Sequence, residues 1–170
     1  MFIAKAVNKW GPGIEWSEPT TVLAATLPQK VSGLSSDIDL ATGGVLLQWA
    51  MPHHNGAAVT EFKVQVRDSN GDWQIMSLCS GSKLSCLIPM DELWTLGLIF
   101  NDFVEMQVSA INLIGQGPWS DSIAETQVRR EPSQMAPVTR GSLTNEIQIQ
   151  AEWVALTSYE ERGGSDILAY

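Results

Sequence analysis

Few side chains in this 170-residue chain are equipped for reactivity or for holding a metal. Cys79 and Cys86 flank Ser80-Gly81-Ser82-Lys83-Leu84-Ser85. A Gly/Ser turn between two short strands sets such a pair opposite each other across a hairpin, within disulfide geometry. Closing the loop contributes roughly 2–3 kcal/mol by the chain-entropy account and implies an oxidising compartment. The opposing reading is two free, half-buried thiols in a reducing cytosol. The local pairing, with no other cysteine to compete, favours the bond. Two thiolates do not make a zinc site, because the only histidines, His53 and His54, lie far off in sequence.

The remaining groups point away from catalysis. His53-His54 sits in a turn-rich loop, where adjacent side chains seldom aim at one metal. Asp37, Asp39 and the Asp68–Asp72 stretch match no dedicated calcium loop. Asp91-Glu92 and Glu160-Glu161 are neighbours in sequence, a pattern typical of solvated surface. No Gly-x-Ser-x-Gly elbow, phosphate loop or metalloprotease helix occurs. The expectation is a non-enzymatic chain with no catalytic residue, no cofactor and no metal. Net charge is −9, and the ten basic residues are scattered singly apart from Arg129-Arg130. Phosphate contact needs clustered Lys and Arg, so nucleic acid is not an expected partner. Arg129-Arg130 reads as part of a solvated linker in preference to a processing site. The longest apolar run, Leu93–Phe100, is too short to span a membrane.

The elements that carry these residues read as strands. Val45, Leu47 and Trp49 alternate with polar or outward positions, as do Phe62, Val64 and Val66, and Val104, Met106, Val108 and Ala110. Period two with one apolar face is a half-buried antiparallel strand. These residues form the expected core, together with Ile149 and Trp153 further on. Val31–Leu34 reads as an edge strand and Ser35–Gly44 as a turn. Trp73–Leu78 and Lys83–Ile88 read as the cysteine-bearing hairpin. Pro89–Leu93 reads as one helical turn, and Ser120–Val128 as a final strand.

Self-similarity organises the whole. Ala6-Val7-Asn8-x-x-Gly11-x-Gly13 recurs as Ala110-Ile111-Asn112-x-x-Gly115-x-Gly117, an offset of 104 residues. Trp16-Ser17 recurs as Trp119-Ser120, and Trp49 as Trp153. The expected division is therefore residues 1–27 as the C-terminal strands of one repeat, 28–130 as a complete repeat, and 131–170 as a linker with the N-terminal strands of a third. A fragment of a sandwich cannot bury its sheet face alone, which implies a segment of a longer tandem array.

A strand tryptophan, a Pro and Gly loop, an aromatic-x-Val strand, and Val-x-Ala-x-Asn-x-x-Gly-x-Gly together resemble fibronectin type III repeats. The resemblance implies an all-β chain of tandem immunoglobulin-like sandwiches, one complete and two partial. The Cys79/Cys86 pair, Ile88-Pro89-Met90, and Glu152-Trp153-x-Ala155-Leu156 with Gly163-Gly164 are similar, more narrowly, to repeats of large multi-repeat surface proteins of single-celled eukaryotes. Val104 stands where the family often has a tyrosine, so packing of Leu98, Phe100 and Phe103 is expected to hold that corner. The family likeness implies a structural or adhesive role outside the cell or on its surface. Its partners would be protein: its own repeats or copies, in an oligomer or filament, or other surface proteins. Trp10, Trp16, Trp73 and Trp119 are the candidate interface residues, with Trp10 and Trp16 placed at a repeat–repeat joint. A receptor ectodomain binding a protein ligand through its loops, and an intracellular cytoskeletal or ciliary scaffold, are the alternatives.

Overall fold

A computed structural model describes residues 1–170. The strands in chain order are β1 (Val7–Asn8), β2 (Gly11–Pro12), β3 (Ser35–Ile38), β4 (Val45–Gln48), β5 (Val59–Arg67), β6 (Trp73–Ile75), β7 (Ser85–Ile88), β8 (Met106–Asn112), β9 (Gly115–Gln116), β10 (Thr139–Arg140) and β11 (Ala151–Glu152). One short helix, α1 (Met90–Thr95), follows Pro89. Asp91 and Glu92 lie in its first turn, where the exposed N–H groups favour negative charge. The central strands form two antiparallel sheets, β3-β4-β7 and β6-β5-β8-β9. Val45, Leu47, Phe62, Val64, Val66, Val104, Met106, Val108 and Ala110 are all fully buried, and Trp49 is nearly so. Trp49, just beyond the end of β4, meets Phe62 of the other sheet edge-on at 5.5 Å. The fold is an all-β, antiparallel sandwich.

Long-range pairing changes several local expectations. Ser35–Ile38 is not turn but strand: Ser35 pairs with Gln48 and Ile38 with Val45. The turn is confined to Asp39–Gly44, where the Asp39 carboxylate accepts from Thr42 and Gly43 takes a φ of +74°. Val31–Leu34 forms no ladder, although Val31 is buried. The cysteine segments are not two arms of one hairpin. β6 pairs with β5 and β7 pairs with β4, so the chain crosses between sheets from one to the other. Cys79, in a 3₁₀ turn, and Cys86, on β7, form a disulfide across that crossing with Cα atoms 5.3 Å apart. Ser120–Val128 is no continuous strand. It meets β8 and the segment before it at isolated bridges, Met106 to Ile123 and Phe103 to Gln127, and through single backbone bonds, Ser120 N–H to Val108 and Val104 N–H to Thr126. The Ser120 hydroxyl takes the Val108 N–H at 3.0 Å, replacing a rung of the ladder. Phe103 is 58% exposed, so the corner at Val104 is packed by Leu98 without it.

The repeat seen in the letters recurs in the backbone. β1 pairs with β2 as Val7 to Pro12 and Asn8 to Gly11, and β8 with β9 as Ile111 to Gln116 and Asn112 to Gly115. The Gly13 N–H donates to the Ala6 carbonyl at 2.8 Å, and that of Gly117 to Ala110 at 2.8 Å. Ser17 accepts from Ala4 N–H at 3.0 Å, as Ser120 does from Val108. On the C-terminal side, β10 pairs with β11 as Thr139 to Glu152 and Arg140 to Ala151, the register of β3 with β4 moved along by one repeat. Trp153 even finds an aromatic neighbour, Tyr170 at 6.4 Å, as Trp49 finds Phe62.

Ile149 and Trp153 correct the expected core. Ile149 is 89% exposed and Trp153 50%, because no second sheet packs over β10-β11 as β5-β8 packs over β3-β4. Their apolar alternation has the right period and nothing to bury against. Phe62→Ala should therefore cost about 3–5 kcal/mol and Ile149→Ala no more than about 0.5 kcal/mol in equilibrium denaturant titration. Equal costs at the two positions would contradict this division of core and surface.

Candidate functional site

The groups with chemical potential do not converge. The rings of His53 and His54 stack on each other at 5.4 Å. Both Nδ1 atoms are engaged by their own turn, with the Asn55 N–H at His53 and the Gly56 N–H at His54. No three His, Cys, Asp or Glu side chains gather in one place. Asp68 is held below the ordinary carboxylate range, first by the Gln74 amide and then by the Asp72 N–H. That is the signature of a capped turn between β5 and β6.

What the structure does assemble is a pair of joints at opposite ends of the central sandwich. At the first, the incoming chain lies across two loops. The Thr26 N–H donates to the Asn55 carbonyl at 2.9 Å, and the Gln29 N–H to the His53 carbonyl at 3.0 Å. The Asn55 amide donates to the Leu27 carbonyl at 2.8 Å. Asn112, at the end of β8, is the centre of the arrangement. Its Nδ2 donates to the carbonyls of Thr26, His54 and Ala57 at 2.7, 3.2 and 3.3 Å. Its Oδ1 accepts the N–H groups of Ile114 and Gly115. One side chain thus ties the incoming strand to both loops. Gly56 is required by closeness: at φ +92° a Cβ there would stand 2.2 Å from the Ala24 carbonyl oxygen.

The second joint copies the first. The Arg130 N–H donates to the Gly163 carbonyl at 3.2 Å, and the Ser133 N–H to that of Glu161 at 2.7 Å. A Cβ on Gly163 would come 2.1 Å from the Arg130 carbonyl oxygen. The first joint lies by Asn112, the C-terminal end of β8. The second leaves beside Asp102, just before β8 begins, where the Val128 N–H donates to the Asp102 carbonyl. The two sets of bonds therefore lie at opposite ends of the central sandwich.

The tryptophans proposed for an interface stand apart from these joints. Trp10 is 86% exposed and Trp16 58%, so neither fills a joint, which is built from backbone groups and one asparagine. Lys9 and Lys5 lie over their rings at 5.0 and 5.3 Å. Trp73 is half-buried with Arg67 over it at 6.0 Å, and Trp119 is half-buried. Trp10 occupies the loop position that Ile114 holds in the central sandwich, next to the exposed Leu113. Asn112 was visible in the sequence as a repeated letter with Asn8. Its role needed the partners, which lie up to 86 positions away.

No protein-family model matches the chain. The structure is similar to the solution structure of the sixth fibronectin type III domain of human fibronectin type III domain containing protein 3. That match has 25% identity and a TM-score of 0.49, over 65% of this chain and 95% of that one. It is also similar to a crystal structure of a multidomain segment of titin, with 18% identity and a TM-score of 0.41. There it covers 71% of this chain and 38% of that one. The chain's own strand order and shared core define its class: an all-β, antiparallel β-sandwich. No helix in it is long and apolar enough to cross a membrane.

Two measurements address this geometry. Asn112→Ala removes the side-chain donor shared by the Thr26, His54 and Ala57 carbonyls and should cost about 1–3 kcal/mol, with faster hydrogen exchange at Thr26 and Gln29 than elsewhere. Glu105 is held below its ordinary range by the Ser122 hydroxyl and then by Arg67, whose guanidinium stands 3.0 Å away. A depressed carboxyl contributes stability above its unfolded-state pKa and loses it as pH falls through the folded value. Glu105→Gln should thus lower the denaturation midpoint at pH 7, and the gap to the parent should close on acidification below about pH 4.

Proposed function

We propose that this chain is a length of a tandem array of fibronectin type III-like sandwiches, divided at residues 1–27, 28–130 and 131–170, that spaces and presents surface for protein contacts outside the cell. The observation that carries the reading is the twofold recurrence of one joint. The equivalent pair of N–H donors in the strand, Thr26 and Gln29 before the central sandwich and Arg130 and Ser133 after it, meets two carbonyls of the loop that follows, Asn55 and His53 in the first case and Gly163 and Glu161 in the second. A joint repeated in atomic detail fixes the angle between neighbours, which is what a spacer needs. The Cys79–Cys86 bond supports an oxidising compartment. The likeness of the cysteine-pair repeat to those of large surface proteins of single-celled eukaryotes points the same way. Partners on this reading are other copies, in an oligomer or filament, or other surface proteins, and the chemistry is binding, not turnover.

A loop-binding receptor ectodomain is the second reading. It is favoured by Trp10 and Leu113, 86% and 78% exposed on equivalent loops. Small-angle scattering should show the 170-residue chain as an elongated particle of one fixed length. Alkylation without reduction, on protein from its natural source, should recover Cys79 and Cys86 linked. A compact or variable-length particle would end the spacer reading, and free thiols the extracellular one.

A further inference from the structure

The two joints share a backbone plan but differ in one respect. At the positions of the first that correspond to Arg129 and Arg130 of the second stand Ala25 and Thr26. Only the second joint carries a dibasic peptide, and only there do aromatic rings wait for it. The Arg130 guanidinium lies 4.6 Å from the centre of Phe100, on the central sandwich, and that of Arg129 lies 5.3 Å from Tyr159, on the following unit. The two rings are themselves 5.9 Å apart. The cations and rings thus form one cluster spanning the boundary, at the separation where a cation is drawn to a ring face. Backbone restraint adds to it. Besides the Arg130–Gly163 bond, the Arg130 Nη2 donates to the Glu160 carbonyl at 3.3 Å, and the Arg129 N–H points at the Met90 sulfur at 3.5 Å. Arg129 Nη1 is buried without a hydrogen-bond partner.

A trypsin-like endoprotease needs its substrate extended, with the arginine side chain free to enter a pocket. Within a folded segment this happens only after local opening. We propose that Arg129-Arg130 is a cleavage site for an arginine-specific endoprotease and that the second joint is its gate. With the following unit docked, both guanidinium groups lie over rings, the Arg130 side chain still 39% exposed, and the backbone is held at Arg130 by its bond to Gly163. Once the unit swings away, Tyr159 and Gly163 leave and the dibasic peptide is freed. Hydrolysis then adds one water across the Arg130–Glu131 bond, breaking C–N and leaving a carboxylate on Arg130 and an ammonium on Glu131. The array is severed between units, and the central sandwich with its disulfide stays whole. This inference does not depend on the spacer reading or on the compartment.

Limited digestion of the intact chain with trypsin, read by mass spectrometry, tests it. Cuts after Arg129 and Arg130 should be at least about 100-fold slower than in a free peptide of residues 124–136. Tyr159→Ala and Gly163→Ala, the second leaving every ring and arginine in place, should each raise that rate about tenfold. Cleavage at Lys63 and Arg67 in β5 should stay slow in both. The paired substitution Arg129→Lys with Arg130→Lys keeps a tryptic site, weakens the flat guanidinium stacking, and should also speed cleavage. The proposal fails if the parent is cut as fast as the peptide. It fails equally if all three variants leave the rate unchanged, or if cutting at the joint rises only in step with cutting in β5.

Discussion

Two sheets are held together by an aromatic contact that neither makes alone. Trp49 extends from the end of one sheet and Phe62 from the middle of the other, and their rings meet edge-on at 5.5 Å. Around them the valines of β5 and β8 interdigitate, and the exposure of Val64, Val66 and Val108 falls to zero. Tryptophan serves here for its area: its Nε1 is buried with no hydrogen-bond partner, a cost the surrounding apolar contact outweighs. Where that contact has no second sheet behind it, as at Trp153 and Tyr170, the rings approach but stay half in water.

The core in turn sets the ends. β5 and β8 pair from Val66 with Met106 down to Val59 with Asn112, with a register irregularity between Val59 and Glu61. That pairing delivers Asn112 to the mouth of the loop containing His53–Ala57, where its amide reaches the carbonyls of Thr26, His54 and Ala57. The same pairing sends the other end of β8 away from the first joint, and the chain leaves there through Val128 and Arg129. Sheet register thus sets where the flanking segments meet the sandwich. The disulfide fastens the crossing between the sheets, with both cysteines part of the buried core.

Several functional residues were present in the sequence as letters without roles. Asn112 and Asn8 are the same position in two repeats, and Gly56 and Gly163 sit in turn-rich stretches. Arg129-Arg130 reads as a polar linker because nothing nearby in the chain can engage it. The rings that do, Phe100 and Tyr159, come from the two units on either side. Proximity to a boundary in sequence placed Trp10 and Trp16 at a joint; within residues 1–170 both are exposed, and the backbone bonds at Thr26 and Gln29 do not involve them.

The sequence by itself determined the period of the apolar pattern, and through it the strands of the central unit and the faces they bury. It also determined the spacing at which like residues recur and the pairing partner of each cysteine. Each of these depends on residues close together or on the spacing between like residues. Only the tertiary structure decided that β6 and β7 belong to different sheets, that Ser35–Ile38 is strand, and that Ser120–Val128 is not a continuous one. It alone separated Val45, buried under the second sheet, from Ile149, which no second sheet of residues 1–170 covers. Alternation tells which face of a strand is apolar. Whether another surface arrives to cover that face, and which backbone edge it pairs with, is a matter of partners a hundred residues away.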